Sequence, residues 1–550
     1  MLQAGFTGLL HDEAYYFFYS RHLAWGYYDH PPLIAILIRA GSTLFPGELG
    51  ARFFFVLLSA GTILILRKLS GAKNELFFAI LAFSFIFLQL TGFLALPDSV
   101  MVFFTALFYL VYKKYCENYS VKNGILLGLV MAGLFYSKYL GILVVFFTFL
   151  SNPGLFRKGS FWFSVMVTSL LFAPHLYWQY NHGFPSFYYH LTERSHDEIF
   201  RWSNFADYII GQFGQVNPLI FIPVVIFLVT FKTHGQYEKA LKYSAAGSLL
   251  LPFLLMIKGR VEANWTMAGL VPLFLLTTKI ADDRPKLARY IYISGWITVI
   301  LIFMIRIILI ADIIPEKYRK AYKLEISGWK QFSEELSRIA GDRPAVFLGS
   351  YQVPSLYRFY TGKEATSFNN SIYRSNQYDL ENLEEKLAGR DFVLFFPGKS
   401  IPFTELRSYG FAVSDSIENP NGKYLYYIYD SNFRAYNRLP IEIEIKKKSF
   451  GPGEVAEIGV VLKNPGPDPV KFSEGNGKAY LAYSLYDYGK TIYFWKFKDI
   501  TQVELNDEYR ASFRMKMPLK PGIYYLRVSV KSGWFPAGIN SKLMKIRVIE

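Results

Sequence analysis

The chain has 550 residues, of which 52% are hydrophobic, 18% aromatic and 19% charged, and its mean hydropathy is +0.20. This composition excludes intrinsic disorder, which requires few apolar and aromatic residues. The net charge is +16, but no basic cluster accompanies a nucleic-acid-binding motif, so we expect no nucleic-acid partner. Cys116 is the one cysteine of the sequence, which excludes an intramolecular disulfide. The apolar excess predicts a membrane protein.

Apolar segments long enough to cross a membrane fill the chain up to about residue 312. A hydrocarbon core about 30 Å thick needs roughly 20 apolar helical residues, and fewer where helices are short and buried. On this basis we predict about ten crossings, near residues 50–66, 75–95, 99–113, 123–137, 139–151, 160–178, 205–231, 241–257, 265–279 and 290–312. Residues 1–312 are therefore expected to form an all-α transmembrane domain.

Lysine and arginine cluster in five loops between the predicted crossings, as they do in cytoplasmic loops. The clusters are Arg67, Lys68 and Lys73; Lys113, Lys114 and Lys122; Arg157 and Lys158; Lys232, Lys239 and Lys242; and Arg284, Lys286 and Arg289. They share one side only if residues 123–151 cross twice, with an outer turn at Lys138. By parity the outer face then receives residues 1–49, 96–98, 179–204, 258–264 and everything after about 313. Residues 1–49 would be exported without a preceding helix, so we also expect a further membrane helix before residue 1.

Soluble patterns begin after residue 313. Helical and strand signals alternate over residues 313–436, which predicts a small extracytoplasmic α/β domain: helices at 327–340 and 379–387, and strands at 345–348, 392–396, 411–416 and 424–429. Residues 437–550 read as successive strands separated by Pro-Gly turns, which predicts an immunoglobulin-like β-sandwich with strands at 441–445, 455–462, 479–486, 492–497, 509–515, 524–530 and 543–548.

Polar and aromatic residues are densest in two stretches near the start of the chain, residues 11–16 and 26–32. Together they contain Asp12, Glu13, Tyr16, Tyr28, Asp29 and His30. A carboxylate beside aromatic rings at a membrane surface is partly desolvated, which raises its pKa and favours service as a general base. The alternative is a solvated loop that interfacial tyrosines and tryptophans anchor. The residues alone do not decide between the two.

An ordered set of short motifs extends this pattern over roughly residues 8–430. The motifs are Asp12-Glu13-Ala14-Tyr15-Tyr16, Gly26-Tyr27-Tyr28-Asp29-His30-Pro31-Pro32-Leu33, Leu96-Pro97-Asp98-Ser99, Ser137-Lys138-Tyr139, Pro174-His175-Leu176-Tyr177-Trp178, Gly211-Gln212-Phe213-Gly214-Gln215, Asn217-Pro218, Glu262-Ala263-Asn264-Trp265 and Gly349-Ser350-Tyr351-Gln352. Their order strongly resembles the bacterial protein O-mannosyltransferase-like proteins, glycosyltransferase family 39 and its relatives. This resemblance implies the membrane-embedded C-type glycosyltransferase fold and transfer of a sugar from a polyprenyl-phosphate donor to an acceptor on the outer face.

The resemblance also implies roles for individual acidic residues. Asp12 matches the acidic residue that serves as catalytic base, with Glu13 beside it. Asp98 matches the family's second acidic position, which holds a metal or orients the acceptor. Inverting transfer needs one carboxylate to take the acceptor proton, which agrees with these assignments.

The leaving lipid phosphate needs cations where the membrane meets water. We expect Lys138, an otherwise unpaired cation at an outer turn, to be the first of them, followed by Arg260 and Arg194; the alternative for each is snorkelling to lipid headgroups. On the acceptor side we place Tyr16, Tyr28, Asp29, His30, Glu262 and Trp265, although Glu262 is also placed to pair with Arg260 and Trp265 to join an aromatic belt.

A divalent cation is the one cofactor that the sequence leaves open. Asp29, His30 and Asp98 have suitable ligand atoms, but no motif of fixed spacing supports a metal site.

The sequence thus predicts an inverting glycosyltransferase of the bacterial inner membrane with many crossings. It would move mannose or another hexose or pentose from a polyprenyl-phosphate donor to a protein, glycan or lipid acceptor. The alternative is a transporter or flippase of a lipid-linked sugar, which predicts ionisable residues near the middle of helices. Arg306 is the notable charge inside a predicted crossing.

Overall fold

The computed structural model describes residues 1–193, 202–257, 261–368, 375–381, 383–398, 401, 404, 407, 415–437, 439–475, 477–487 and 490–550. The chain divides into two compact units, Met1–Pro315 and Glu316–Glu550. The first is helical and the second is rich in strands. Each unit is described by itself.

The first unit is built from helices over every segment that the sequence predicts to cross the membrane. The helices are α1 (Leu2–Phe6), α2 (His11–Arg21), α3 (Leu33–Leu44), α4 (Gly47–Ser70), α5 (Glu75–Ser84), α6 (Ile86–Leu90), α7 (Pro97–Glu117), α8 (Val121–Ser137), α9 (Gly141–Leu150), α10 (Gly159–Asn181), α11 (Pro185–Tyr188), α12 (Trp202–Val216), α13 (Phe221–Thr230), α14 (Gln236–Leu255), α15 (Met267–Thr277), α16 (Ile280–Asp283) and α17 (Pro285–Ala311).

Several of these helices suit a bilayer. Within the described ranges, α4, α7, α10 and α17 are each long and apolar enough to span one, and α12 with α13 forms a fifth candidate that bends by 88°. Other apolar helices, including α8 and α9, have 10–17 residues. The chain is a multi-pass membrane protein, and the number of ten crossings stays a prediction.

Helices α8 and α10 pack closely because small residues line their contact. Gly124 and Gly128 lie one turn apart on α8. A Cβ atom at Gly124 would stand 2.3 Å from the carbonyl oxygen of Ser160, and one at Gly128 would stand 2.6 Å from that of Ser164. Thr168 also donates a hydrogen bond across the contact to the carbonyl of Gly128, at 3.1 Å. Small residues four apart let membrane helices approach in this way. The close packing sets the position of the end of α8, where Lys138 follows.

The five basic loops gather at one end of the first unit, which we call the basic end. Lys73 of the first loop and Arg289 of the fifth line one cavity, and Lys279, shortly before the fifth loop, forms an ion pair of 3.6 Å with Glu238 of the fourth. Gln236 of the fourth loop donates a hydrogen bond of 2.8 Å to the carbonyl of Ser151, shortly before the third loop. The ammonium of Lys158 in the third loop lies over the ring of Tyr119 in the second. Helix α8 therefore leaves this end and α9 returns to it, as the predicted double crossing requires. We call the other end, where α7 and α10 respectively begin and finish, the motif end.

Residues 1–49, which contain the two polar stretches, are largely helical. They contain α1, α2 and α3, and α2 is buried along most of its length: Tyr15, Tyr16 and Tyr19 are each at most 5% exposed. This burial excludes the alternative of a solvated loop for residues 11–16. The helix itself was not predicted, because consecutive aromatic residues gave no helical periodicity to recognise.

The second unit contains a mixed sheet flanked by helices. Its strands follow the order β2-β1-β3-β5-β4, with β1 parallel to β2 and β3, and β5 antiparallel to β3 and β4. The elements are α18 (Glu316–Tyr322), α19 (Trp329–Ala340), β1 (Ala345–Leu348), α20 (Gln352–Thr361), β2 (Ala365–Phe368), α21 (Gln377–Leu380), α22 (Leu383–Leu387), β3 (Phe392–Pro397), β4 (Asp415–Glu418) and β5 (Tyr424–Asp430). The sequence missed α20 and β2, and its single helix at 379–387 is two short ones. Residues 411–414 of a predicted strand lie outside the described residues.

The rest of the unit is a sandwich of two sheets, in the orders β11-β10-β14-β15-β7 and β13-β8-β6, with β9 and β12 paired at the side. The strands are β6 (Ile441–Glu444), β7 (Ser449–Phe450), β8 (Val455–Lys463), β9 (Val470–Lys471), β10 (Ala479–Asp487), β11 (Lys490–Asp499), β12 (Glu504–Leu505), β13 (Glu508–Lys516), β14 (Gly522–Ser532) and β15 (Met544–Val548). All seven predicted strands are present.

Trp534 and Phe535, which follow β14, are buried in the core of the mixed sheet, with their rings stacked on Phe392 at 6.3 Å and 6.1 Å. The two parts of this unit therefore share a core, and the boundaries 313–436 and 437–550 stay predictions.

Candidate active site

Helix α2 brings the two polar stretches near the start of the chain together. Residues 12, 16 and 19 follow the spacing of one helix face. The hydroxyl of Tyr19 donates a hydrogen bond to the carboxylate of Asp29, and the ring of Tyr16 meets that of His30 edge-on at 5.4 Å. Burial and the nearby Asp29 charge raise the pKa of Tyr19 well above its ordinary value, so the phenol keeps its proton. Asp12 lies in the first turn of α2 and is partly exposed.

The loop that carries Asp29 is fixed by α10 and α11. His175 donates from Nδ1 to the carbonyl of Trp25 at 2.7 Å, and Ser186 donates to the carbonyl of Tyr27 at 2.9 Å. Gly26 lies against the ring of Trp178 so closely that a Cβ atom there would stand 2.4 Å from it. Any side chain at Gly26 would therefore push the loop away from α10.

Glu13 is part of a fully buried ion pair with Arg52 of α4. The Nε atom of Arg52 lies 2.7 Å from Oε1 of Glu13, a second guanidinium nitrogen bonds Oε2, and both side chains are 0% exposed. Glu13 also accepts hydrogen bonds from the backbone N–H groups of Leu10 at 2.9 Å and Ala95 at 2.7 Å. A carboxylate whose oxygens are already taken up by these donors is poorly placed to take a substrate proton. The geometry favours a positioning role for Glu13.

Arg52 completes the network on the other side. Its remaining N–H groups reach the carbonyls of Ala4, Thr7 and Gly8 at 3.3, 2.5 and 2.9 Å. The guanidinium also lies 5.4 Å from the ring centre of Phe93. One arginine thus ties α1, the start of α2 and the segment before α7 to helix α4.

Lys138 lies at the break between α8 and α9, as predicted, but it has a partner. Its Nζ atom is 2.7 Å from Oδ1 and 2.8 Å from Oδ2 of Asp98, and the two side chains are 9% and 10% exposed. Asn264 donates a longer bond of 3.5 Å to the same carboxylate. The expectation that Lys138 is otherwise unpaired was wrong. The sequence does not indicate that Asp98 pairs with Lys138, because the two residues are 40 positions apart along the chain.

Helix α12 holds the short turn that carries Asn264. The side-chain amides of Gln212 and Gln215 donate to the carbonyl of Ala263 at 3.3 Å and 2.7 Å, and Thr266 donates to the side-chain oxygen of Gln212 at 2.7 Å. The motif residues of α12 therefore position the turn instead of pointing to a ligand of their own.

Two contacts join the Asp29 group to the Asp98 group at the motif end. Tyr139, next to Lys138, has its ring 5.6 Å from that of His190, and His190 donates to the carbonyl of Asp29 at 3.0 Å. The amide of Ala95, close before Asp98, is the one that Glu13 binds. We call Asp12, Asp29, Asp98, Lys138 and Asn264 the outer-loop cluster.

The other predicted site residues lie apart from this pairing or outside the described residues. Tyr28 is buried against Tyr189, with ring centres 5.6 Å apart. Trp265 packs on a small apolar group around Tyr208 and Val261, and Glu262 is partly exposed beside it. Arg194 and Arg260 lie outside the described residues.

No three His, Cys, Asp or Glu side chains in the described ranges are arranged to hold a metal ion. Both carboxylate oxygens of Asp98 accept hydrogen bonds from Lys138, and the carboxylate of Asp29 accepts one from Tyr19. A divalent cation therefore stays a prediction without a set of ligands.

Reasoning from the sequence missed Arg52, Asn264, His190 and Tyr19 as parts of the site. Arg52 carried a usable signal, because an arginine inside the apolar run 50–66 requires a buried partner. Asn264 had no signal beyond its place in a motif, and Tyr19 lies between two motifs, outside both.

Replacing Arg52 by leucine should destabilise the protein strongly, by about 3–5 kcal/mol, because Glu13 would be left buried without its counter-charge. Thermal unfolding in detergent, followed by tryptophan fluorescence, measures the effect. Arg67→Leu is the matched control, since Arg67 pairs with Glu75 on an exposed surface and should change the melting temperature little. Equal shifts for the two variants would contradict the account of the buried pair.

Comparisons with known proteins agree with the motifs. Residues 29–178, which include Asp29, Asp98 and Lys138, match the family model described as dolichyl-phosphate-mannose-protein mannosyltransferase. Among curated proteins, the lipid A galacturonosyltransferase RgtD of Rhizobium johnstonii is 25% identical over 290 residues, 49% of this chain. The match spans 60% of the length of that relative.

Two solved structures are similar at lower levels. ArnT from Cupriavidus metallidurans in the apo state has 13% identity and a TM-score of 0.44, over 77% of this chain and 95% of ArnT. The oligosaccharyltransferase AglB from Archaeoglobus fulgidus, in complex with an inhibitory peptide and a dolichol-phosphate, has 9% identity and a TM-score of 0.39, over 99% of this chain and 94% of AglB. The resemblance predicted from the ordered motifs is confirmed by the family model and the curated relative: the chain is related to the protein O-mannosyltransferase-like membrane glycosyltransferases.

Proposed function

We propose that this protein is a membrane glycosyltransferase that takes a sugar from a polyprenyl-phosphate donor at the motif end. The observation that carries the proposal is the placement of Lys138. A lysine that is 9% exposed is held by Asp98 at the motif end, where Asp12 also lies in the first turn of α2, so this end carries both a cation and a carboxylate. Transfer from a lipid phosphate needs one of each.

In the proposed reaction Asp12 is the base. Its carboxylate takes the proton of the acceptor hydroxyl as that oxygen attacks the anomeric carbon of the sugar. The bond between the anomeric carbon and the phosphate oxygen breaks, and its electron pair leaves with the polyprenyl phosphate. The attack comes from the face opposite the phosphate, so the configuration at the anomeric carbon inverts.

Lys138 is suited to the charge that this step creates. The donor phosphodiester carries one negative charge, and the released phosphate monoester gains a second when the bond breaks. An ammonium group has three N–H donors. Two of those of Lys138 bond Asp98, and the third has no partner among the described residues. That third donor is available for a phosphate oxygen, while Asp98, which also accepts a bond from Asn264, holds the ammonium in place.

The partly buried arginine of α17, Arg306, argues for an enzyme over a transporter. Arg306, the charge that the transporter alternative would use, lies five residues before the end of α17. It donates to the side chains of Gln3 and Gln89 and stacks 5.4 Å from Phe93. A charge near the end of a helix, bound by amides and an aromatic ring, has a structural explanation and does not mark a path through the membrane.

The donor sugar and acceptor are proposed only as classes. The donor carries mannose or another hexose or pentose. The name of the curated relative describes a lipid acceptor, and the name of the family model describes a protein. An acceptor hydroxyl on a lipid, glycan or protein fits the proposed base equally, because Asp12 acts on the hydroxyl alone.

Asp12→Asn should lower the rate of sugar transfer by about 10²–10⁴-fold, because the amide cannot accept the acceptor proton. The rate is measured with purified protein and the donor that the wild type consumes, and melting temperature is recorded beside it. Asp207→Asn, an exposed carboxylate of α12 outside the cluster, is the matched control and should keep the wild-type rate. Transfer by Asp12→Asn within a few-fold of the wild type would remove Asp12 as the base.

Lys138→Ala should weaken donor binding and slow transfer by about 10²-fold or more, since the variant loses the cation that meets the leaving phosphate. Lys138→Arg should recover only part of the rate, because a planar guanidinium does not place its charge where an ammonium does. Donor-lipid affinity in detergent is the deciding readout, because loss of the Asp98 pair alone would lower stability and leave affinity unchanged. Lys158→Ala, at the basic end, is the control.

A further inference from the structure

An open cavity of about 360 Å³ lies at the basic end, between the loop before α5 and the start of α17. Its inner wall includes Ser70, Phe77 and Thr278, each at most 5% exposed. Its exposed rim carries Lys73, Arg289 and Asp282. The cavity thus combines a buried floor with two cations and one carboxylate, at the end opposite the outer-loop cluster.

The two cations of this cavity, Lys73 and Arg289, have no ion-pair partner in the part of the chain that the structure describes. In contrast, the neighbouring Arg67 pairs with Glu75 and Lys279 pairs with Glu238. Basic pockets between membrane helices at this kind of position bind the phosphate of lipid headgroups. Lys73 and Arg289 therefore offer an anion site for an outside partner.

The surface beside the cavity indicates that this partner is a lipid. Helix α17 continues from Arg289 with large side chains that are about half exposed: Tyr290 is 47%, Ile293 52% and Trp296 40% exposed. An apolar helix face of this kind belongs in the hydrocarbon region, with its aromatic residues near the headgroups. A molecule whose phosphate sits at Arg289 would have its acyl chains along that face.

From these observations we propose that the cavity binds the headgroup of an aminophospholipid, such as phosphatidylethanolamine, from the leaflet at the basic end. Lys73 and Arg289 bind the phosphodiester, and Asp282 binds the ammonium group of the headgroup. The rim thus has one partner for each charge of a zwitterionic headgroup. This inference concerns the other end of the unit and does not rest on the proposed transferase activity.

Native mass spectrometry of the full chain tests the proposal, with phosphatidylethanolamine, phosphatidylglycerol and soluble glycerophosphoethanolamine added separately in detergent. The wild type should retain phosphatidylethanolamine in preference to the other two. The double variant Lys73→Gln/Arg289→Gln should bind it about 30-fold less tightly, since each cation near a lipid surface contributes about fivefold. The double variant Lys68→Gln/Arg157→Gln removes two cations of the same end that do not line the cavity, and it should bind as the wild type does.

Asp282→Asn separates the two parts of the proposal, because it should abolish the preference for phosphatidylethanolamine over phosphatidylglycerol while phosphate binding remains. Equal lipid retention by the wild type and Lys73→Gln/Arg289→Gln would overturn the site. Equal binding of glycerophosphoethanolamine would overturn the lipid as its ligand, and a preference unchanged in Asp282→Asn would overturn the amine contact. Melting temperatures without added lipid identify any variant that fails to fold.

Discussion

Two opposite charges that are both out of water must meet each other, because neither is stable alone in a membrane protein's interior. Glu13 and Arg52 obey this constraint at the motif end, and each also binds backbone groups of a different segment. The pair fixes α2 against α4 and the segment before α7. The pair also fixes the position of Asp12, because Asp12 directly precedes Glu13 in the first turn of α2. The second residue of the Asp-Glu motif thus gives the first a defined place.

Lys138 and Asp98 form a second pair that differs in one respect. Glu13 and Arg52 are fully buried and bonded on every side. The side chains of Lys138 and Asp98 are each about a tenth exposed, and one N–H donor of Lys138 has no partner among the described residues. A fully satisfied pair serves the fold. A pair with a remaining donor at a loop end is the one that can bind an anion, and in a site of low dielectric its charge acts more strongly than in water. This contrast separates the structural charges of the motif end from those that we assign to chemistry.

The sequence predicted the helical segments and the sandwich strands well because each has a strong local pattern. Apolar runs such as 290–312 and alternating strands such as β8 can be recognised without knowledge of their neighbours. The turn at Lys138 was found by charge parity between loops, which is also a property of the sequence alone. The ion-pair partners of the site residues could not be predicted in this way. The contacts between Lys138 and Asp98, and between Glu13 and Arg52, join residues about 40 positions apart, and only the packing of α2, α4, α7 and α8 brings them together. The packing of Trp265, which the sequence placed on the acceptor side, against the group around Tyr208 and Val261 was likewise not predictable from the sequence alone.

The central claim is that the outer-loop cluster transfers a sugar away from a lipid phosphate. Incubating the purified protein with a panel of polyprenyl-phosphate sugars, and measuring released polyprenyl phosphate in the presence of lipid, glycan and protein acceptors, tests this most directly. The account predicts that at least one donor releases its lipid phosphate, that release needs an acceptor, and that the transferred sugar has inverted anomeric configuration. Transfer with retained configuration, or no release from any donor by protein that is folded and binds donor lipid, would contradict it.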